Sequence, residues 1–549
     1  MPESVMLINK TSLFICLRRL LAPLPFIAAF FLAPNAFAQT AQAFDGDVLL
    51  GRPTDTSISV SVMTHSDQHV YVEYGRQAGS YTERSVAMEL IAERPHEFEL
   101  ASLDPDAEYF YRLRFKAPDA ENFRAAEEHD FNTQRQKGSS FNFAVQADPH
   151  MGARTRFQKW CGGRCNRESA NDLTFNTTMA NMVEKNPDFV VDLGDTFMTS
   201  QNAGNGMFEI QERERNAPIG QAEVISDYVY LRSLLTQAAS TTALFLVPGN
   251  HDTERQTRLD GTPNNLSVWA NNARKTYFPT PTDNGFYTGS TTEVDYIGRH
   301  DGHYAWEWGD ALFIGLDPFW NGPPGGWGDN GPWGRSLGRE QFDWLRDTLE
   351  ASDATFKFVF LHHLIGGLDN PFGSSRGGHL YADYFEWGGR TPFDQENWLR
   401  ENIVPFDDSP RSRPEEGAPP MRNVDSSTEA YEFDKYREGW GVPIHQMLID
   451  NGVNIVFHGH DHMYVMETHR DGIVYQETPT PGGTGETGDV MLGAARMGYD
   501  IENGVIISSS GFLNVSVSPE EVTVDYIKNV YDCDQDCGEV VHSYTIPAN

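Results

Sequence analysis

Cysteine is scarce in this chain, with five among 549 residues. That excludes a disulfide-built scaffold, since so few bridges could staple only short loops of so long a chain. Cys16 stands alone near the start, and the others form two close pairs, Cys161/Cys165 and Cys533/Cys537. Neither pair has the two-residue spacing common in structural zinc sites, so two small-loop disulfides in an oxidising compartment are expected instead. Positive charge is short as well: 42 Lys and Arg against 78 Asp and Glu give a formal net charge of −36. Such a surface repels polyanions, so neither duplex nucleic acid nor anionic membrane is an expected partner without a local basic patch. Solubility in a salty extracellular medium is the plainer account of the acidity. The apolar run Leu20 to Phe31 is broken by Pro23 and Pro25, with Pro34 close behind, and falls well short of a membrane span. No internal repeat is present.

What stands in that N-terminal stretch has the pattern of an export signal over residues 1–38. Lys10, Arg18 and Arg19 make a basic n-region, and Ala36-Phe37-Ala38 is a small-residue cleavage site. The Arg18-Arg19 pair fits twin-arginine export and an ordinary basic n-region equally. Removing Lys10, Arg18, Arg19 and Glu3 takes a net +2 from the −36, leaving −38. The expectation is a periplasmic or extracellular protein with no stable membrane span after cleavage. Its length is too great for one hydrophobic core, and 39% hydrophobic with 12% aromatic residues marks a folded chain of more than one domain.

Residues 39–136 have their own texture. Ser57–Met63 and Val70–Tyr74 alternate as strands, His96–Leu100 is another, and Tyr109–Lys116 follows Leu103-Asp104-Pro105-Asp106. Short strands separated by turn signals predict a small all-β sandwich, and the stretch Leu103 to Arg114 with Tyr109 and Tyr111 is similar to fibronectin type III-like domains. Asn132–Ser140 is polar and is expected to link it to a second domain over 140–549. There, strands alternate with helical stripes such as Phe175, Met179, Val183 and Val224, Tyr228, Leu231, Leu235, which is α/β organisation. Two long stretches, Thr253 to about Asp301 and 364–440, interrupt it, and they suit pocket walls or surface decoration. After the Gly-rich Pro481 to Gly488, the strands Gly504–Ser509, Phe512–Val517 and Glu521–Lys528 are expected to complete a second sheet.

The chemistry lies in five short segments. Asp148-Pro149-His150, Gly194-Asp195, Gly249-Asn250-His251-Asp252, His362-His363 and Gly459-His460-Asp461-His462 mostly follow apolar runs: Phe141–Gln146, Phe189–Leu193, Leu244–Val247, Phe356–Leu361 and Val453–Phe457. Runs this short suit covered strands, and ligands gather beyond the carboxyl ends of such strands. Phosphate esters resist attack because their oxygens repel nucleophiles. Two cations about 3.5–4 Å apart overcome this, and holding them takes one shared carboxylate with several neutral N and O ligands. The five segments supply that inventory.

In order and residue type they resemble the calcineurin-like metallophosphoesterases over roughly residues 141 to 465. The resemblance implies a two-sheet sandwich flanked by helices. It also implies that Asp148, His150 and His462 bind one metal, Asn250, His362 and His460 a second, and that Asp195 bridges them. His251 would then stabilise the transition state or protonate the leaving oxygen, with Asp252 orienting its ring and Asp461 in support. A mixed imidazole, carboxylate and amide set suits two divalent or mixed-valence ions of Zn, Mn, Fe or Co. Adjacent strand residues face opposite ways, so one of His362 and His363 is the ligand, and the family pattern favours His362. Purple acid phosphatases share the sandwich and secretion, but they have tyrosine where this chain has Met198, and they lack the counterpart of His150. A general phosphohydrolase is therefore expected, cleaving small-molecule phosphate monoesters by in-line attack of a metal-bridging hydroxide. A phosphodiesterase is the alternative, and a non-catalytic metal-binding or adhesive protein is the alternative of another class, which the presence of His251 disfavours. Trp320, Trp327 and Trp333 fit either a pocket wall or a pinned surface loop, and Arg154, Arg156 and Arg255 are candidate phosphate binders.

Overall fold

Phe143 and Val145 point to one side of the strand Phe141–Gln146 and Ala144 to the other, and each side is buried in a different core. A strand apolar on both faces must sit between two layers, and this strand does. The structure is a computed structural model that describes residues 43–150, 167–196, 220–252, 254–321, 332–364, 379–392, 429–482, 499–500, 503–507, 510–529 and 537–548.

The first of two central sheets runs in the order Ala243–Leu246, Phe189–Asp192, Phe141–Gln146, Gly511–Val517, Glu521–Lys528, Val540–Pro547. Its first three strands are parallel and its last three antiparallel. The second sheet has eight strands, with Ala311–Gly315, Phe356–Phe360, Ile455–His458 and Val474–Glu477 side by side and parallel. The sheets meet through phenylalanines. The Phe143 ring lies 5.1 to 6.3 Å from the rings of Phe189, Phe313, Phe358, Phe360 and Phe457, and a ring buried this way is worth about 3–5 kcal/mol against alanine.

Helices close both outer faces. Arg167–Glu184, Gln221–Ala239 and Leu266–Tyr277 put Phe175, Met179, Val224, Tyr228, Leu231, Leu235 and Ala273 onto the first sheet. Arg339–Ala351 and Ile444–Asp450 do the same for the second sheet with Phe342, Leu345, Met447 and Leu448. The long stretch after Thr253 is thus partly core, since it carries Leu266–Tyr277. Of 364–440, residues 379–392 and 429–440 fall among those described with Leu364, and Trp387 and Phe433 join the second outer core.

Ahead of these layers stand two small sheets, one of Gly46–Gly51, Ser57–Thr64 and His96–Ala101, the other centred on Gln68–Gly75, Glu108–Lys116 and Arg124–Asn132. Val60, Val62, Val70, Val72 and Tyr111 fill the space between them. The β-rich region docks on the helix Gln221–Ala239 through buried Arg232, which donates to the carbonyls of Ser61 at 2.6 Å and Tyr277 at 2.5 Å. Tyr111 donates to the Ser240 carbonyl at 2.6 Å.

One expectation is corrected, and the linking segment is held in place. The segment Asn132–Ser140 is pinned, because Asn132, Arg135 and the Trp308 indole all donate to the buried Asp188 carboxylate at 2.7 to 2.9 Å. Of the late strands, only Val505–Ile507 joins the second sheet; Gly511–Val517 and Glu521–Lys528 extend the first, beside Phe141–Gln146. Among the described residues no helix is long and apolar enough to cross a membrane. Cys537 is disulfide-bonded, while Cys161, Cys165, Cys533 and residues 1–38 lie outside the described residues.

Candidate metal centre

Parallel register brings the ends of five strands to one edge. Asp192 pairs with Gln146 and Leu246, and Phe360 with Gly315 and Phe457. The loops that follow are stitched together by backbone bonds. Asp148 N–H donates to the Gly194 carbonyl and His150 N–H to that of Asp195, both at 3.0 Å, and Gly459 N–H donates to the His362 carbonyl at 2.8 Å. Glycine is needed where these loops touch. A Cβ on Gly249 would stand 2.0 Å from Asp195 N, and one on Gly459 would stand 2.6 Å from Ala147 Cβ.

Asp148, His150, Asp195, His460 and His462 all adopt the left-handed backbone region, with φ of 57°, 50°, 52°, 87° and 60°. Such conformations cost about 1–3 kcal/mol each in non-glycine residues and persist where surrounding structure enforces them, typically at functional sites. Here the enforcing bonds use the same carboxylates: His460 N–H donates to Asp148 Oδ2 and His251 N–H to Asp195 Oδ1, each at 2.6 Å. Asp252 Oδ2 accepts from the backbone of Gly249 at 2.7 Å and of Asp195 at 2.9 Å, tying two loops to one oxygen.

The side chains converge. Asp148, His150 and His462 form one group able to hold an ion; Asp195, His362 and His460 form another; and His150, Asp195 and His251 form a third between them, the ligand atoms in each lying within 4.8 Å of one another. Asp195 is common to two groups. His362 donates from Nδ1 to the Leu193 carbonyl at 3.0 Å, which turns Nε2 toward Asn250 Oδ1 at 2.9 Å, His460 Nδ1 at 3.2 Å and Asp195 Oδ2 at 3.2 Å. Around buried Asp148 Oδ1 stand the Nε2 atoms of His462, His150 and His362 at 3.4, 3.6 and 3.8 Å. Lone-pair atoms crowding one another in this way fit a cation between them, and the donor set fits divalent metal ions. His462 is 46% exposed while His362 is fully buried, so the pocket opens on the His462 side.

The electrostatics agree. Burial raises the Asp195 carboxyl, but the neighbouring His251 and His362 outweigh it and hold the group below the usual carboxylate range. For Asp148, burial is likewise outweighed, by His462 and His362. Burial pushes His362 down, yet Asp195 and Asp148 carry it up to about 9. The pocket thus favours positive charge, which a metal ion supplies on displacing protons. Burial takes His251 down to about 4 against the pull of Asp195, and its Nε2 lies 3.6 Å from Asp195 Oδ2.

All nine residues singled out from the sequence, Asp148, His150, Asp195, Asn250, His251, Asp252, His362, His460 and His462, come to this one locality. His363 joins none of these groups: its ring lies 5.1 Å from that of His460, but it is packed edge-on against Phe319 at 4.8 Å and its Nδ1 faces the Leu364 carbonyl at 3.0 Å. Among the described residues, Trp320 and Trp333 pack into cores rather than wall the pocket. Trp320 is buried and stacks on His300 at 3.9 Å, and Trp333 stacks on Tyr436 at 4.6 Å; Trp327 lies outside the described residues, as do Met198, Arg154 and Arg156. Arg255 remains, its Nη2 donating to the Asn250 carbonyl at 2.7 Å and its guanidinium 5.0 Å above Phe319.

Three supporting carboxyls escaped the sequence reading. Buried Asp192, pushed up to about 7 by desolvation, accepts from Gln146 at 2.7 Å and from the Gly194 backbone at 2.9 Å. Glu477, pushed well above its usual range by burial and by Asp461, accepts from Asp461 N at 2.9 Å and lies 2.6 Å from His458 Nδ1. Asp317 caps the backbone of Phe319 at 2.8 Å and of Trp320 at 3.1 Å. The available signal was a carboxyl inside or directly after an apolar strand.

The model of the calcineurin-like phosphoesterase family matches residues 141–464. In fold the chain is similar to a solved structure of PhoD, 12% identical with a TM-score of 0.60, the match covering 93% of this chain and 92% of that one. A dimetal phosphatase from Danio rerio is 13% identical with a TM-score of 0.34 over 74% of this chain and 99% of that one. No curated protein matches in sequence.

Proposed function

The chain belongs to the calcineurin-like phosphoesterases, metal-dependent hydrolases of phosphoric esters, and we propose that it is a secreted phosphatase that cleaves small-molecule phosphate monoesters at a two-metal centre. The observation that carries this is Asp195, which groups with His150 and His251 on one side and with His362 and His460 on the other. On this proposal Asp148, His150 and His462 hold one ion, Asn250, His362 and His460 the other, and Asp195 both. The donor chemistry suits Zn, Mn, Fe or Co. When bound, such ions supply Lewis-acid charge for the ester oxygens and a water of lowered pKa.

The chain's own residues do the rest. The stitched loops and the left-handed turns fix the ligand atoms before substrate arrives, so little reorganisation is left for the reaction itself. His251 faces the pocket from a loop held by Asp195 and would stabilise the transition state or protonate the leaving oxygen. Arg255, anchored through the Asn250 carbonyl, places a fixed positive charge beside the ligand loop for an anionic group of the ester. Secretion is supported by the signal pattern of residues 1–38 and by a disulfide at Cys537. Mass spectrometry of the exported protein should find a chain beginning at Gln39; an intact Met1 on the mature protein would refute export.

The test is a comparison of a mono-aryl with a bis-aryl phosphate on enzyme reloaded with Mn²⁺ or Zn²⁺. Faster turnover of the monoester is expected. Preference for the diester would replace the monoesterase by a phosphodiesterase, and no turnover of either with both ions bound would remove the catalytic role.

A further inference from the structure

A second cluster of metal-ligating side chains lies away from the centre just described. His445 sits on the helix Ile444–Asp450, and His469 and Asp471 sit in the turn between the strands Tyr464–Thr468 and Val474–Glu477. His445 Nε2, His469 Nδ1 and Asp471 Oδ2 form a triangle with sides of 3.1, 3.1 and 3.4 Å. Tetrahedral zinc with ligands at about 2.0–2.2 Å requires ligand-to-ligand edges of roughly 3.3–3.6 Å, so the triangle is a few tenths of an ångström short of that size. The five-residue strand Tyr464–Thr468 separates His469 from His462, a span of about 16 Å at the usual rise per residue.

Within the triangle, His469 Nδ1 stands 3.1 Å from Asp471 Oδ2 and 3.4 Å from Asp471 N, and Arg470 Nε lies 3.9 Å from the same carboxylate oxygen. A cation at the centre meets all three atoms at once. The outward ring nitrogens have the supporting partners that ligating histidines carry: His445 Nδ1 lies 2.7 Å from the Tyr475 hydroxyl, itself bonded to the Trp387 indole at 2.9 Å, and His469 Nε2 is 3.7 Å from Asp383 Oδ1. Both imidazoles are buried, whereas the Asp471 side chain is 38% exposed, leaving solvent access for the fourth ligand.

We propose that His445, His469 and Asp471 bind a divalent transition metal ion of the zinc class, a structural site distinct from the catalytic pair. The ion clamps the helix Ile444–Asp450 to the hairpin that begins at the His462 loop, and water fills the fourth position. Two imidazoles and one carboxylate select such an ion over magnesium or calcium.

The experiment counts zinc. Full-length protein stripped with a chelator and reloaded with zinc is freed of loose ion, and its metal is measured by mass spectrometry for wild type, His469→Gln and Asp471→Asn. Each variant should hold one equivalent less than wild type while hydrolysing an aryl phosphate within about twofold of the wild-type rate. Equal zinc in all three overturns the site, whatever the absolute number, so the outcome does not depend on the catalytic centre holding two ions. Loss of one equivalent together with hydrolysis also overturns it, because the missing ion would then be catalytic. If His469→Gln does not fold, Asp471→Asn decides alone, since its partly exposed carboxyl removes no packing.

Discussion

Replacing Asp252 by alanine should weaken metal binding before it touches any bond-making step. Its Oδ2 accepts from the Gly249 and Asp195 amides at 2.7 and 2.9 Å, and the residue is 5% exposed. Each buried amide left without an acceptor costs about 1–3 kcal/mol, or roughly 2–6 kcal/mol for the two. The freed loops carry Asn250 and Asp195, so part of that cost falls on the ions. A share of about 2 kcal/mol raises the dissociation constant about 30-fold, inside the roughly 10–100-fold range for groups that support ligands. Chelator competition measures the affinity, and thermal unfolding with and without metal measures the remainder. Asp252→Asn keeps an oxygen acceptor and should recover most of both. If Asp252→Ala binds metal within twofold of wild type and unfolds at the same temperature, the latch is refuted. If Asp252→Asn keeps metal and stability but loses turnover, the residue acts on the His251 ring.

Two more substitutions separate the proposed roles around the pocket. Asn250→Ala should release one ion on dialysis, whereas His251→Ala should keep both and lose about 10²–10⁴-fold in rate on an alkyl phosphate, but much less on an activated aryl one; an equal loss on the two esters would rule out proton donation. Acid stability tests a site elsewhere. His303 is buried and held down to about 4 by desolvation, so the unfolded chain takes up its proton near 6.5 and the folded chain does not. The stabilisation is complete above about pH 6.5 and is lost as pH falls towards 4, on the order of 3 kcal/mol in total. His303→Gln should flatten that limb of the metal-free unfolding curve, and an unchanged slope would show that the ring does not stay neutral.

The five strands that carry the centre were legible because burial on both faces leaves continuous apolar runs. Phe141–Gln146 matches to the residue, and Phe356–Phe360 to within one. Ile455–His458 starts two residues later than expected, since Val453 belongs to the turn that follows the helix. Pairing between distant segments left no such trace. Nothing near Phe512 says that it will lie beside Phe141–Gln146, and aromatic residues among glycines look the same whether they line a pocket or, like Trp333, fill a core. Asp192 and Glu477 were missed for a related reason: a buried carboxyl inside a strand is conspicuous only once its partners are known. His445 and His469 lie 24 residues apart, with no spacing rule to connect them.

The pairing of Gly511–Val517 with Phe141–Gln146 has a consequence for biosynthesis. The strand Phe141–Gln146 keeps one open edge until the ribosome has added more than 360 further residues, and an unpaired apolar edge invites association with other chains. The nascent polypeptide therefore needs chaperone cover, and its pocket cannot mature before the strand Gly511–Val517 has been made.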